Sequence, residues 1–188
     1  MIIDNRQEKL IFKTDKFETP INNTLPEMGE AKIEFDKTKP EIRLKKWDSE
    51  VDLGVKYARI NVSGDKKIGE NIIEWKTAKE ELHAYPLKAG EGMEDGGVEV
   101  EIVLNQKPDT NKFDFQIDGA ENLDFFYQPE LTQEEIDEGQ SRPENVIGSY
   151  AVYHKTKRDH RKGVMNYATG KTFHIYRPKA IDSNGVEQ

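Results

Sequence analysis

Apolar and polar residues alternate with a period of two over most of the chain. Ala31, Ile33 and Phe35 alternate with Lys32, Glu34 and Asp36, the pattern of a strand with one buried face. Lys39-Pro40 interrupts it, Ile42 and Leu44 restart it, and Val51, Leu53 and Val55 continue it toward Tyr57. Residues 61–65 read as a turn, Ile72-Ile73-Glu74-Trp75 as the next strand, and His83, Tyr85 and Leu87 share one face. Residues 90–97, rich in glycine and acid, read as a flexible loop. The most regular segment places Val98, Val100, Ile102 and Leu104 opposite Glu99, Glu101 and Val103. Lys107-Pro108-Asp109-Thr110-Asn111 predicts a turn, and Phe113, Phe115 and Ile117 predict a strand ending at Asp118-Gly119. Those two strands are expected to pair as a hairpin. Residues 123–127 form another apolar run, and 146–153 and 171–176 return to strand, with Thr172, His174 and Tyr176 on one face.

One helix interrupts this pattern. Thr132-Gln133-Glu134-Glu135 fits a capping box with Thr132 at the N-cap, and Gly139 closes the segment. Residues 1–30 mix the short clusters Ile2-Ile3 and Leu10-Ile11-Phe12 with turn formers and sustain no helical stripe, so they read as an arm. Many short strands with at most one helix predict an all-β fold. The expected form is an antiparallel β-sandwich, jelly-roll-like, with one short helix and an extended N-terminal arm. The expected domains are the arm, 1–30, and the sandwich, 31–188.

Composition narrows the function classes. A chain of 188 residues is the size of one domain, able to bury roughly 70% of its unfolded surface. Mean hydropathy is -0.86 and 34% of residues are charged, yet 8 Phe, 7 Tyr and 2 Trp are too many for a disordered chain. The absence of cysteine excludes a disulfide framework, a thiolate zinc site and a cysteine nucleophile. No segment reaches the ~20 apolar residues of a membrane span, and the first residues lack the order of a secretory signal. Charge is uneven: the net is -1 over 1–87, -12 over 88–145 and +5 over 146–188. An acidic middle disfavours duplex nucleic acid as a partner and suits cation binding or pairing with the basic end.

Candidate chemistry is sparse. The histidines are His83, His154, His160 and His174, with no HExxH spacing; His154 and His174, in neighbouring predicted strands, are placed to meet across a sheet. Their ordinary reading is as partly buried strand residues. Asp118, Glu121 and Asp124, around the Gly119 turn, are the densest acidic group and the weak candidates for calcium or a catalytic carboxylate pair, though DxDxDG is absent. Ser149 lies outside any GxSxG elbow, and the glycines of 90–97 form no phosphate loop. The binding candidates are Tyr153, Lys155, Lys157, Arg158, Arg161, Lys162 and Tyr167, which form a basic loop with tyrosines at its base. That loop suits a phosphate, an acidic glycan or an acidic neighbouring subunit; the plainer reading is a solvated hairpin tip. Tyr127, Tyr150 and Tyr176 join Tyr153 and Tyr167 as rings able to stack on sugars, or simply to face a sheet.

Two blocks carry a family resemblance. One runs from Val98-Glu99-Val100-Glu101-Ile102-Val103-Leu104 through Lys107-Pro108 and Asn111-Lys112-Phe113-Asp114-Phe115 to Asp118-Gly119. The other is residues 169–185, from Thr169-Gly170-Lys171 to Asp182-Ser183-Asn184-Gly185. Together they resemble the β-rich module of large bacterial surface proteins of the Rhs and wall-associated type, and of uncharacterised phage-like relatives. Residues 142–157 are most similar to the phage-like set, and a weaker echo surrounds Trp47 to Tyr57. The resemblance covers the second half of the chain and implies a non-catalytic spacer or assembly domain, with no catalytic residues to carry over. That family continues past the Asp-Ser-Asn-Gly turn into further strands, so the last sheet edge is expected to be open or completed by another subunit. The resulting expectation is a non-enzymatic structural or assembly protein, most of all of a phage virion assembled in the host cytoplasm. It would need no cofactor and would self-associate or bind other virion or surface proteins. The alternatives are a tyrosine-based carbohydrate-binding module and an Asp/Glu hydrolase. Neither duplex nucleic acid nor membrane is an expected partner.

Overall fold

The computed structural model describes residues 9–13, 32–36, 38–47, 49–62, 65–67, 72–87, 97–156 and 169–187. The described residues are mostly strand, in three antiparallel sheets. The chain divides into two compact units, with the boundary between Glu121 and Asn122; the second holds Asn122–Lys157 and Thr169–Gln188. The sequence reading drew its one boundary at residue 30.

The first unit is a β-sandwich. One sheet has the order β1 (Lys9–Lys13), β2 (Lys32–Asp36), β3 (Glu41–Lys46), β4 (Val51–Tyr57) and β9 (Phe115–Asp118). The other has β5 (Asp65–Lys67), β6 (Ile72–Lys76), β7 (Glu80–Leu87) and β8 (Gly97–Leu104). Ile33, Phe35, Ile42 and Tyr57 from the first sheet pack with Ile73, Trp75, Leu82 and Ala84 from the second, and Ile60 joins them from the connection. Each large apolar side chain buried there contributes ~1.5–3 kcal/mol, which is why alternation on five strands resolves into two layers. Each sheet is built largely from consecutive strands, so the jelly-roll-like aspect reduces to the two-layer packing, with a meander in each layer.

Two local expectations change. The segments 98–104 and 113–117 do not form a hairpin: β8 pairs with β7, whereas β9 crosses to the other sheet and pairs with β4. The reason is packing. Val98, Val100, Ile102 and Phe113 rest on the shared core, and the Phe115 ring lies 5.1 Å from that of Tyr57, so the two segments face each other across the layers. Within the arm, Lys9–Lys13 is a strand paired with β2. The remainder of 1–30, and residues 90–96 of the glycine-rich loop, lie outside the described residues.

A charge network covers the outer face of the first sheet. Arg43 donates from Nε to Asp52 at 2.8 Å and from Nη1 to Glu41 and Asp118, both at 3.2 Å. Lys45 bonds Glu34 at 2.9 Å. Gly54 leaves room for this: a Cβ there would stand 1.8 Å from the Asp118 carboxylate. Between the layers, buried Glu80 accepts from Tyr57 Oη at 3.2 Å and pairs with Arg59 at 3.1 Å. Trp47, at φ 55, is in the left-handed region; its ring is fully buried with the Lys46 ammonium 4.7 Å above it.

The second unit is a three-stranded sheet, β10 (Leu123–Gln128), β11 (Ser149–His154) and β12 (Lys171–Ile175), in that order. Helix α1 (Gln133–Asp137) stands where the capping box predicts it. Thr132 Oγ1 accepts from Glu135 N–H, and Glu135 Oε2 accepts from Thr132 N–H at 2.7 Å. Among the described residues no helix is long and apolar enough to cross a membrane.

Two predictions follow from the sandwich. Gly119 holds φ +73, and a Cβ there would lie 2.1 Å from the Asp52 carbonyl oxygen, a backbone atom. Gly119→Ala should therefore cost about 2 kcal/mol or more in urea unfolding followed by tryptophan fluorescence. A loss within the ±0.5 kcal/mol of ordinary surface changes would contradict that contact. Burial, reinforced by Glu80, pushes the Tyr57 phenol up to about 12. Its folded value lies above the unfolded one, so its contribution is complete below pH ~10 and is lost as pH rises through 12. Ultraviolet titration of Tyr57→Phe should lack one phenol ionisation near pH 12 and keep the still later one of Tyr85, which burial and Glu101 push up further, and an unchanged alkaline limb would refute the assignment.

Candidate binding surface

The register of β10, β11 and β12 sorts their side chains onto two faces, because directly opposed residues of antiparallel strands share a face. Phe125, Val152 and Phe173 form one cross-strand row, and Tyr127, Tyr150 and Ile175 form the next row on the same face. On the other face Asp124 opposes Tyr153, and Phe126, Ala151 and His174 form a row. Val152 is fully buried at the centre, whereas Phe126 and Tyr127 are 51% and 54% exposed. A sheet of three strands has too little area to cover rings on both of its faces. The rings pair locally instead: Tyr127 with Tyr150 at 5.2 Å, Phe126 edge-on to Tyr153 at 5.7 Å, and His174 with Tyr176 at 4.7 Å.

Polar contacts hold the frame beneath these rings. Thr172 Oγ1 donates to Val152 O at 2.7 Å and Thr169 Oγ1 to Thr156 O at 2.7 Å. His154 Nδ1 lies 3.1 Å from the Thr156 N–H, and His154 N–H donates to Gly170 O at 2.9 Å. Ser149, also buried, hydrogen-bonds the Val146 carbonyl and lies 2.5 Å from His174 Nε2. A carbonyl only accepts, so the Ser149 proton goes to Val146 and His174 Nε2–H donates to Ser149 Oγ. That tautomer is the reverse of what a base activating a serine needs. Desolvation, then the Lys171 charge, lowers the His174 pKa and favours the neutral ring, here as its Nε2–H tautomer. His154 and His174 do not meet: one shares a face with Leu123, the other with Ala151.

The sequence-derived candidates separate. Tyr153 stands in the exposed aromatic set, and Lys155 follows β11 with its N–H donating to Asn122 O at 2.8 Å. Lys157, Arg158, Arg161, Lys162 and Tyr167 lie outside the described residues. Asp118 ends β9 and is held by Arg43, Glu121 lies in the following turn, and Asp124 sits in β10 opposite Tyr153. Among the described residues no group of three or more His, Asp or Glu side chains is placed to hold a metal. A guanidinium already occupies the Asp118 carboxylate. A shallow cleft of about 420 Å³ in the second unit is lined by Glu144, Asn145, Arg177, Lys179 and Glu187, so its charges are mixed.

Sequence reasoning missed a second cluster, on the outer face of β6, β7 and β8. Glu74, His83 and Glu101 stand in one cross-strand row. His83 Nε2 is 2.9 Å from Glu81 and 3.8 Å from Glu74, and Lys76 reaches Glu74 and Glu81 at 3.0 Å. Tyr85 Oη donates to Glu101 at 2.6 Å. The only sequence signal was that His83 and Tyr85 share a face; the glutamates opposite them come from strand register.

Comparison with protein families, with curated proteins and with solved structures finds no match. Fold and surface define an all-β chain whose sandwich unit carries charge networks and whose second unit carries exposed rings.

The hydrogen bond from His83, then those from Lys76 and Asn105, lower the Glu81 pKa to about 2. A depressed carboxylate stabilises the fold above its unfolded pKa, and the contribution fades as pH falls toward 2. Carbon-detected NMR of the Glu81 carboxyl should give that midpoint in the wild type and a higher one in His83→Gln. An ordinary midpoint in both proteins would rule the contact out.

Proposed function

We propose that this chain is a non-enzymatic structural and assembly protein, with the β10–β12 sheet as its contact surface. The observation that carries the reading is the exposure of Phe126, Tyr127, Tyr150 and Tyr153 on a sheet whose backbone is pinned from beneath. Large rings on a rigid frame lose little conformational entropy on contact and are the side chains most enriched at protein interfaces. The setting, a phage virion or a cell surface, rests on the family resemblance of residues 98–119 and 169–185. The carbohydrate-binding reading uses the same rings, but the Tyr127 and Tyr150 planes meet at 51° and offer no flat platform for a sugar. Assembly is therefore preferred. The acidic middle and the basic 154–162 segment would steer copies together.

Light scattering coupled to size exclusion tests this across a concentration series. The expected result is a mass rising above the 21.7 kDa of one chain. Phe126→Ser combined with Tyr153→Ser should shift the association to at least about tenfold higher concentration, the loss of two interface rings. A mass of one chain at every concentration would refute self-assembly.

A further inference from the structure

We infer that β10 is a self-complementary edge, through which two copies of this chain join their three-stranded sheets into one six-stranded sheet. The inference rests on the assembly reading above and names its contact. Among the described strands β10 hydrogen-bonds to β11 alone, and on its other side no described strand pairs with it. Lys155 N–H donates to Asn122 O, and that pair sets the alternation along the ladder. Even-numbered residues of β10 therefore turn their backbone groups toward β11, while Leu123, Phe125 and Tyr127 turn theirs outward.

The two edges of this sheet differ in what guards them. Facing outward beyond β11, β12 carries an exposed lysine at Lys171, borders a register shift at Val152/Tyr153 and runs on to Pro178. Lysine, bulges and proline are the usual devices against edge-to-edge pairing. β10 reads Leu-Asp-Phe-Phe-Tyr-Gln with an unbroken register, no lysine and no proline. Three of its six residues are strand-forming aromatics that are 37–54% exposed.

A second copy fits that edge in one register. Two strands related by a twofold axis perpendicular to the sheet keep their faces, so the paired residue numbers must share parity. Placing Phe125 on the axis pairs it with its own equivalent and pairs Leu123 with Tyr127 of the other copy. All outward N–H and C=O groups of the three residues are then satisfied. Asp124, the one charge on the strand, faces Phe126 of the other copy, so no like charges oppose each other. On one face Phe125 gains cover from its equivalent and Tyr127 from the buried Leu123 of the other copy, and on the other face Phe126 gains cover. The occupant that matches the edge in hydrogen bonding, polarity and charge is the same strand.

The chain has no cysteine, so single cysteines report the register cleanly. In this pairing the two Cα atoms of residue 125 stand ~5.5 Å apart, within disulfide reach, while those of residue 126 are offset beyond ~7 Å. Under mild oxidation the full chain carrying Phe125→Cys should form a disulfide dimer, and Phe126→Cys should not. Phe125→Pro removes an outward N–H that β11 does not use, so far-ultraviolet circular dichroism should be retained while the dissociation constant rises at least about tenfold. Linkage through residue 126 in place of 125 would overturn the inference. So would a dimer indifferent to Phe125→Pro; if that dimer still responds to Phe126→Ser with Tyr153→Ser, the assembly reading stands without the edge. A single-chain mass throughout defeats both.

Discussion

The sandwich turns on one carboxylate. Glu80 begins β7 on the side that faces the other sheet, where a bare charge would cost several kcal/mol of desolvation. Tyr57, at the end of β4, donates to it, and Arg59, just beyond, pairs with it. Arg59 is held in turn by the Phe113 ring 5.1 Å away, and the Glu80 backbone is tied into the hairpin by Thr77, which accepts from Glu80 N–H at 3.1 Å and donates to Glu80 O at 2.8 Å. These contacts fix where the end of β4 stands relative to the start of β7. Apolar packing of Trp75, Phe35 and Ile73 supplies most of the cohesion, but apolar surfaces slide; a directional polar pair between the layers does not.

The second unit solves a different problem. Three strands cannot enclose a core of their own, so its order comes from short polar contacts along β11: Thr172 to Val152, Thr169 to Thr156 and His174 to Ser149. Its rings are left at the surface in pairs. A unit ordered by hydrogen bonds and finished by exposed aromatic side chains is suited to contact, because rigidity is in place before anything binds.

Much of the strand content was legible in the alternation itself, and α1 in a single tetrapeptide. The pairing of those strands was less so. The regular run from Val98 to Leu104 and the run from Phe113 to Ile117, separated by a proline-containing turn, carry every local mark of a hairpin, and nothing local records that both bury against one core from opposite layers. The acidic candidates fared similarly: Asp118 is close in sequence to Glu121 and Asp124, but its partner is Arg43, 75 positions away. Conversely, the row of Glu74, His83 and Glu101 exists only through register, which a one-residue slip would erase. Tyr153 was legible as the base of the predicted basic loop, whereas its place beside Phe126 among the exposed rings comes from register.

Both tryptophans of the chain, Trp47 and Trp75, lie in the sandwich unit, each fully buried, while the second unit carries only tyrosine among the longer-wavelength fluorophores. Indole emission is thus a private optical channel for the sandwich. A melting curve read at indole wavelengths therefore reports the surroundings of Trp47 and Trp75 and carries no indole of the small sheet itself. Only a second probe, such as the phenol bands near Tyr127 and Tyr150, tells whether the two units melt together or in turn.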